Sequence, residues 1–184
     1  GNEALCADVR KGLVRAIERC ADNANRAFLF SQLQLCSAAE DAAWILPYLD
    51  DSYLSDYAIR ALISTPGTEP VLLAEARKEG LAAERKRALA YAFAEKRMTQ
   101  AEPLLLGWLG GADARTAEQI YNALAVCGSR ASLKPLAAAA AGASAMWPRT
   151  LATRAIGITA SILPKKPRCA SSCLLYTSPS PRDS

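Results

Sequence analysis

The chain has 184 residues, of which 51% are hydrophobic, 22% are charged and only 7% are aromatic, and it contains no histidine. The absence of histidine excludes Ser-His-Asp and Cys-His nucleophile systems, histidine general bases and histidine-ligated zinc sites. The formal net charge of +4 comes mostly from residues 163–184. The body is therefore near neutral and lacks the excess of Lys and Arg that a nucleic-acid partner requires.

Helical periodicity begins near the start of the chain. An apolar stripe at every fourth position comprises Leu5, Val9, Leu13 and Ile17. This spacing predicts a helix over residues 3–20. The same periodicity, broken by turns rich in Asn, Asp, Pro and Gly, predicts nine more helices. They cover residues 25–36, 38–49, 52–64, 68–80, 83–95, 99–110, 114–127, 131–141 and 147–162.

Prolines mark the second helix of several predicted pairs. Pro70, Pro103 and Pro135 are expected in the first turn of a helix, where the missing N–H costs nothing. Short turns between consecutive helices favour antiparallel pairs.

Residues 81–111 and 112–142 are two copies of one unit. At an offset of 31, the matching positions are Leu89 and Ile120, Ala92 and Ala123, Phe93 and Leu124, Leu105 and Leu136, and Gly111 and Gly142. The frame extends back to Leu62 and forward to Leu151. A period of about 30 residues is typical of a solenoid. We therefore expect an all-α fold over residues 1–162, an α-α superhelix of antiparallel helix pairs.

The cysteines do not suggest a disulfide framework. Cys6 and Cys20 lie in one predicted helix, about 21 Å apart, whereas a disulfide needs Cα atoms within ~7 Å. Cys36 and Cys127 end helices three repeats apart. We expect these four to be small buried apolar residues. The Cys169 and Cys173 pair lacks the second pair that a metal site needs, so no metal or cofactor is predicted.

From Leu163 onward the helical periodicity stops. Pro164, Pro167, Pro179 and Pro181 exclude a continuous helix. The last dozen residues look like a translated cloning or sequencing adaptor, so we treat 163–184 as a disordered, non-native tail. The repeat array is then expected to be truncated, with a final helix that lacks its partner.

The helical units resemble HEAT repeats. The repeat offset of 31, with Ala and Leu at fixed positions and Pro in the second helix, is closest to the short HEAT-like type of the phycobilin lyases. The resemblance covers about residues 25–162, although the Asp8-Val9-Arg10 segment does not recur in each unit. It implies that second helices line a concave surface. It also implies a scaffold that presents this surface to a partner protein, as an accessory module of a larger protein in some members.

Four residues are candidates for that surface. Trp44, Tyr48 and Trp108 fall on predicted second helices, where large aromatic side chains can anchor a partner. Alternatively, they fill gaps between Ala-rich helices. Arg77 belongs to the densest charge cluster, residues 77–97. That cluster is either a basic rim for an acidic partner or phosphates, or a solvated turn and helix start.

The sequence therefore predicts a non-catalytic scaffold that binds a protein, not an enzyme. The alternative is a HEAT-like lyase-type enzyme, or enzyme subunit, that holds a ligand in the concave groove; it would need a positioned acid. A third possibility, a HEAT-like DNA glycosylase, is disfavoured by the near-neutral body. Because no run of about 18 apolar residues exists, no membrane insertion is expected.

Overall fold

The computed structural model describes residues 2–142 and 146–163, and this part of the chain is all-helical. The predicted all-α class is confirmed. The α-helices of the described residues are α1 Asn2–Arg19, α2 Asn23–Leu33, α3 Ala42–Ile45, α4 Ser55–Ser64, α5 Glu69–Ala76, α6 Ala83–Glu95, α7 Glu102–Leu109, α8 Ala114–Cys127, α9 Arg130–Gly142 and α10 Met146–Ile162. Apart from residue 163, the predicted tail, with Cys169 and Cys173, lies outside the described residues.

The predicted helix over 38–49 is broken into three short pieces. A four-residue α3 is flanked by 3-10 turns at Ala39–Asp41 and Leu46–Asp50. Pro47 explains the break, because its ring removes one N–H donor and clashes with the preceding turn of an α-helix. The adjacent 3-10 turn tolerates Pro47 in its first residues.

The prolines confirm two predicted helix starts and contradict a third. Pro70 and Pro103 occupy the second position of α5 and α7. Pro135 lies inside α9, which begins earlier, at Arg130. It therefore does not open that helix. Instead it removes one hydrogen bond from the middle of α9, where the chain continues as a helix because neighbouring units pack around it.

The buried core follows the predicted repeat. Leu62, Phe93 and Leu124, which occupy the same position in three successive units, are completely buried, as are Leu105 and Leu136. The helices that carry the first three, α4, α6 and α8, pack one against the next, and α8 packs against α10. We call α2, α4, α6, α8 and α10 the first helices, and α3, α5, α7 and α9 the second helices. The first helices are thus consecutive neighbours around a continuous apolar core.

A glutamate at the start of a second helix joins one unit to the next. Glu69, the first residue of α5, accepts a hydrogen bond from Lys96 Nζ at 2.9 Å. Glu102, the first residue of α7, accepts from the Ser129 N–H at 2.8 Å and is also hydrogen-bonded to the Ser132 hydroxyl. In both cases the partner follows 27 residues later. The two Glu-Pro pairs therefore mark the same inter-unit link.

The first helix of the chain is less well covered than its apolar stripe predicts. Ile17 is fully buried, but Leu5 and Val9 are exposed. The expectation that the body cysteines are buried holds for Cys127 and is wrong for Cys6, which is exposed. The cause is length: α1 has 18 residues and its neighbour α2 has only 11, so the first turns of α1 extend beyond the end of α2.

Replacing Leu124 by Asp tests the register of the core. The carboxylate would be forced into a completely buried site. We expect a loss of several kcal/mol of unfolding free energy, beyond the roughly 2–5 kcal/mol of a Leu-to-Ala change. The matched control is Leu35→Asp at a residue that is 83% exposed, which should change stability by less than about 0.5 kcal/mol. Equal midpoints for the two variants in circular-dichroism melts would contradict the register.

The Glu102 link should make stability depend on pH. Burial raises the pKa of Glu102, but the hydrogen bonds from Ser132 and Ser129 outweigh it and leave the pKa below its ordinary value of 4.5. A lowered folded-state pKa gives stability that is present above the unfolded-state pKa and lost as pH falls through the folded-state value. Glu102→Gln should therefore be less stable than the wild type by about 1 kcal/mol at pH 7. The gap should begin to narrow as the pH falls below the unfolded-state pKa, near 4.5, and should close once the pH is below the folded-state value. A gap in urea unfolding that does not narrow between about pH 5 and pH 3 would contradict this.

Candidate functional site

Trp44 and Tyr48 belong to an aromatic cluster near the start of the chain. Trp44 stacks on Phe30 with ring centroids 5.9 Å apart, and Tyr48 meets the same ring edge-on at 5.0 Å. The Trp44 indole N–H donates to Glu18 Oε1 at 2.9 Å. Burial raises the pKa of the Tyr48 hydroxyl. These contacts show that both rings contribute to packing between α1, α2 and α3.

Trp108 and Arg77 lie elsewhere. Trp108 stacks on the buried Phe93 with centroids 6.3 Å apart and is itself half-buried. Arg77 directly follows α5, is exposed, and lines a hollow beside that helix. Of the four residues predicted from the sequence, the structure brings only Trp44 and Tyr48 into contact, at 5.2 Å between centroids. Their joint role in partner binding stays a prediction.

The charge cluster over residues 77–97 has an inward and an outward part. Three half-buried members are paired with carboxylates outside their own helix: Arg85 with Glu75, Arg87 with Asp113 and Lys96 with Glu69. Arg77 and Arg97 are exposed. Sequence reasoning offered a basic rim or a solvated turn, and missed that three members of the cluster join neighbouring elements.

Arg85 is paired with Glu75, the most buried charged residue in the described part of the chain. The Glu75 side chain is 2% exposed, and its Oε1 lies 3.2 Å from Arg85 Nη1 while its Oε2 lies 2.7 Å from Lys78 Nζ. The Arg85 guanidinium also donates to the Leu46 carbonyl at 2.7 Å. The contact with Glu75 is an ion pair without hydrogen-bond alignment, because Glu75 Oε1 and Arg85 Nε have no hydrogen-bond partner among the described residues.

Arg85→Met should strongly destabilise the protein. It leaves the buried Glu75 carboxylate with Lys78 alone, and breaking a buried pair typically costs about 3–5 kcal/mol. We expect a loss near the lower end of that range in urea unfolding. The double variant Glu75→Leu/Arg85→Met should recover most of the loss, since no buried charge remains. A cost below about 1 kcal/mol for the single variant would contradict the structural role of the pair.

A groove of about 1010 Å³ crosses three successive first helices. Its floor and rims come from the outer faces of α4, α6 and α8 and from the turn over 49–52 before α4. The helices line it with Asp56, Ile59 and Arg60 on α4, Glu84, Arg87, Ala88 and Tyr91 on α6, and Arg115 and Gln119 on α8. Ile59 is buried, and Ala88, Tyr91 and Gln119 are half-buried. The groove therefore has a partly apolar floor between polar rims.

Only some of the charged side chains that line the groove have an ion-pair or hydrogen-bond partner within the protein. Arg87 is held by Glu84 at 2.9 Å and by Asp113 at 3.6 Å. In contrast, the side chains of Asp56, Arg60 and Arg115 are without an ion-pair or hydrogen-bond partner in the described part of the chain, and all three are exposed. A ligand in the groove would thus find two available guanidinium groups and one available carboxylate.

Two acidic groups of this groove, Glu84 and Asp51, already accept hydrogen bonds within the protein. Asp51 Oδ1 accepts the backbone N–H groups of Tyr53 and Leu54 at 2.8 and 2.9 Å. The pKa of Glu84 is lowered, first by a backbone hydrogen bond and then by Arg87. Both interactions favour the ionised form of Glu84, so Glu84 can bind a cation or a hydrogen-bond donor at neutral pH but is a poor general acid.

Sequence reasoning placed the binding surface on second helices and did not identify this groove. The polar positions of the repeat carried a signal for it. Arg60 and Tyr91 occupy equivalent positions of successive units, as do Glu84 and Arg115, and all four line the groove. Applying the repeat register to polar as well as apolar residues would have placed them on one face.

In comparisons with known proteins, no protein-family model, no curated protein and no solved structure matches the chain.

None of the helices in the described residues combines the length and the apolar character needed to cross a lipid bilayer.

Proposed function

We propose that the chain is an α-solenoid of HEAT-like repeats that serves as a non-catalytic scaffold for a partner protein. Three observations support the solenoid. Apolar residues at equivalent positions of successive units are buried alike, the first helices are consecutive neighbours, and two second helices begin with a glutamate that reaches the following unit. Stacked units of this kind present extended surfaces that commonly bind other proteins.

The groove across α4, α6 and α8 is the proposed contact surface, and its extent is the observation that carries the proposal. It spans three units and has a volume of about 1010 Å³. With helix axes about 8–10 Å apart, three neighbouring helices span roughly 20 Å. An extended peptide rises about 3.3 Å per residue. The groove therefore suits a peptide segment of about six residues.

The properties of the groove favour binding over catalysis. A lyase-type reaction needs a group that donates a proton at neutral pH. Glu84 is held in its ionised form, and the available carboxylate of Asp56 is exposed, without the burial that raises the pKa of a catalytic acid. Asp50 Oδ2 lies 3.5 Å from Arg85 Nη1, and Asp51 Oδ1 accepts two backbone N–H groups. Both carboxylates therefore already stabilise the fold. The half-buried Tyr91 and the available Arg60 and Arg115 line the groove and are suited to anchor a peptide.

Selection from a displayed library of random peptides tests this proposal. Peptides that bind the wild-type chain should bind Tyr91→Arg and Ala88→Glu at least about tenfold more weakly, because these changes fill the groove floor with a solvated charge. Both positions are only half-buried, so the variants should remain folded, which circular-dichroism melts verify.

Arg77→Glu is the matched control. Arg77 is exposed, lies outside the groove and belongs to the second-helix surface predicted from the sequence. If the groove is the contact surface, this variant keeps wild-type affinity. Peptides that bind the groove variants normally and lose affinity for Arg77→Glu would place the contact surface on the second helices instead.

A further inference from the structure

We propose that a second hollow, beside α5, binds a phosphate-type oxyanion through Arg77 and Arg97. The hollow has a volume of about 470 Å³. One wall is formed by α5 and the residue that follows it, with Glu69, Pro70, Leu73 and Arg77. The other wall is the turn between α6 and α7, within residues 96–100. It shares no lining residue with the groove across the first helices, so the proposal is independent of that surface.

The charge balance of the hollow favours an anion. Three cations, Arg77, Lys96 and Arg97, line it together with the single carboxylate of Glu69. Lys96 Nζ lies 2.9 Å from Glu69 Oε1 and also donates to the Thr65 carbonyl. Lys96 therefore neutralises Glu69, whose pKa is lowered chiefly by this hydrogen bond. Two positive charges remain without compensation.

Those two charges belong to available guanidinium groups. Arg77 and Arg97 are exposed, and within the described residues neither side chain makes an ion pair or hydrogen bond. Both guanidinium groups line the same hollow, so one bound oxyanion would pair with both. Guanidinium forks match phosphate oxygens in pairs, which makes Arg the usual choice for binding phosphate groups.

The backbone conformation at Arg97 is unusual for a residue other than glycine. Its φ is 52°, and the other described residues with positive φ are Gly67, Gly80 and Gly111. Met98 N–H bonds to the Phe93 carbonyl and Arg97 N–H to the Ala94 carbonyl, a helix end at which glycine is preferred. An arginine here costs stability. The partial negative charge at the C-terminus of α6 favours a nearby cation. Because Lys96 already supplies that cation, the helix does not need the charge of Arg97.

The experiment is a titration of the 15N-labelled chain with inorganic phosphate, followed by NMR at constant ionic strength. A second arm uses a phosphoserine peptide and its unphosphorylated form. We expect saturable shifts confined to residues around Arg77 and Arg97. Tighter binding of the phosphorylated peptide than of inorganic phosphate would identify a phosphorylated partner as the source. The reverse order would identify a free small oxyanion.

Arg97→Gly separates binding from folding. Glycine relieves the positive φ, so this variant should be at least as stable as the wild type and should bind phosphate about tenfold more weakly. Arg77→Gln should lose a similar factor. The control is Arg130→Gln, an exposed arginine away from the hollow, which should bind as the wild type does.

Two results would overturn the proposal. One is the absence of saturable shifts with either phosphate or the phosphopeptide. The other is phosphate binding that is equal in the wild type, Arg97→Gly and Arg77→Gln. Neither result bears on the groove, because Ala88 and Tyr91, the residues changed in its floor, do not line the hollow, and the peptide selections use a different readout.

Discussion

The packing of each first helix against the next is the constraint on which the rest of the structure depends. Leu62, Phe93 and Leu124 are buried at equivalent positions of α4, α6 and α8, and no helix pair alone could cover them. Because aromatic residues are few, the core is filled mainly by Ala and Leu. These side chains let the helices pack closely, so a change in side-chain size at the contact is poorly tolerated. The spacing of the units follows from this contact.

The polar groups divide according to the same geometry. Some form hydrogen bonds between successive units: Glu69 with Lys96, and Glu102 with Ser129. Others are exposed: Arg60 and Arg115 in the first-helix groove, and Arg77 and Arg97 in the hollow beside α5, have no partner among the described residues. The proposed scaffold function needs no buried catalytic group. It relies on surface side chains that the fold itself does not use.

The sequence predicted the core well because burial has a short-range signature. Apolar residues recur with the helical period and again from one unit to the next, and both periods are visible without a structure. The sequence-based prediction was wrong for Pro135, because its place inside α9 depends on tertiary packing. It was also wrong for Leu5 and Cys6, because their exposure depends on the shorter length of α2. The groove was missed because its members come from three helices, and only the register of the units places them on one face.

Native-state hydrogen exchange tests most directly whether stability comes from contacts between neighbouring units. In a stacked array, α6 and α8 have neighbours on both sides, whereas the first turns of α1 extend beyond α2. We expect the slowest exchange in α6 and α8, with protection that falls stepwise toward α1. Uniform protection of all described helices, lost in a single cooperative opening, would contradict the account.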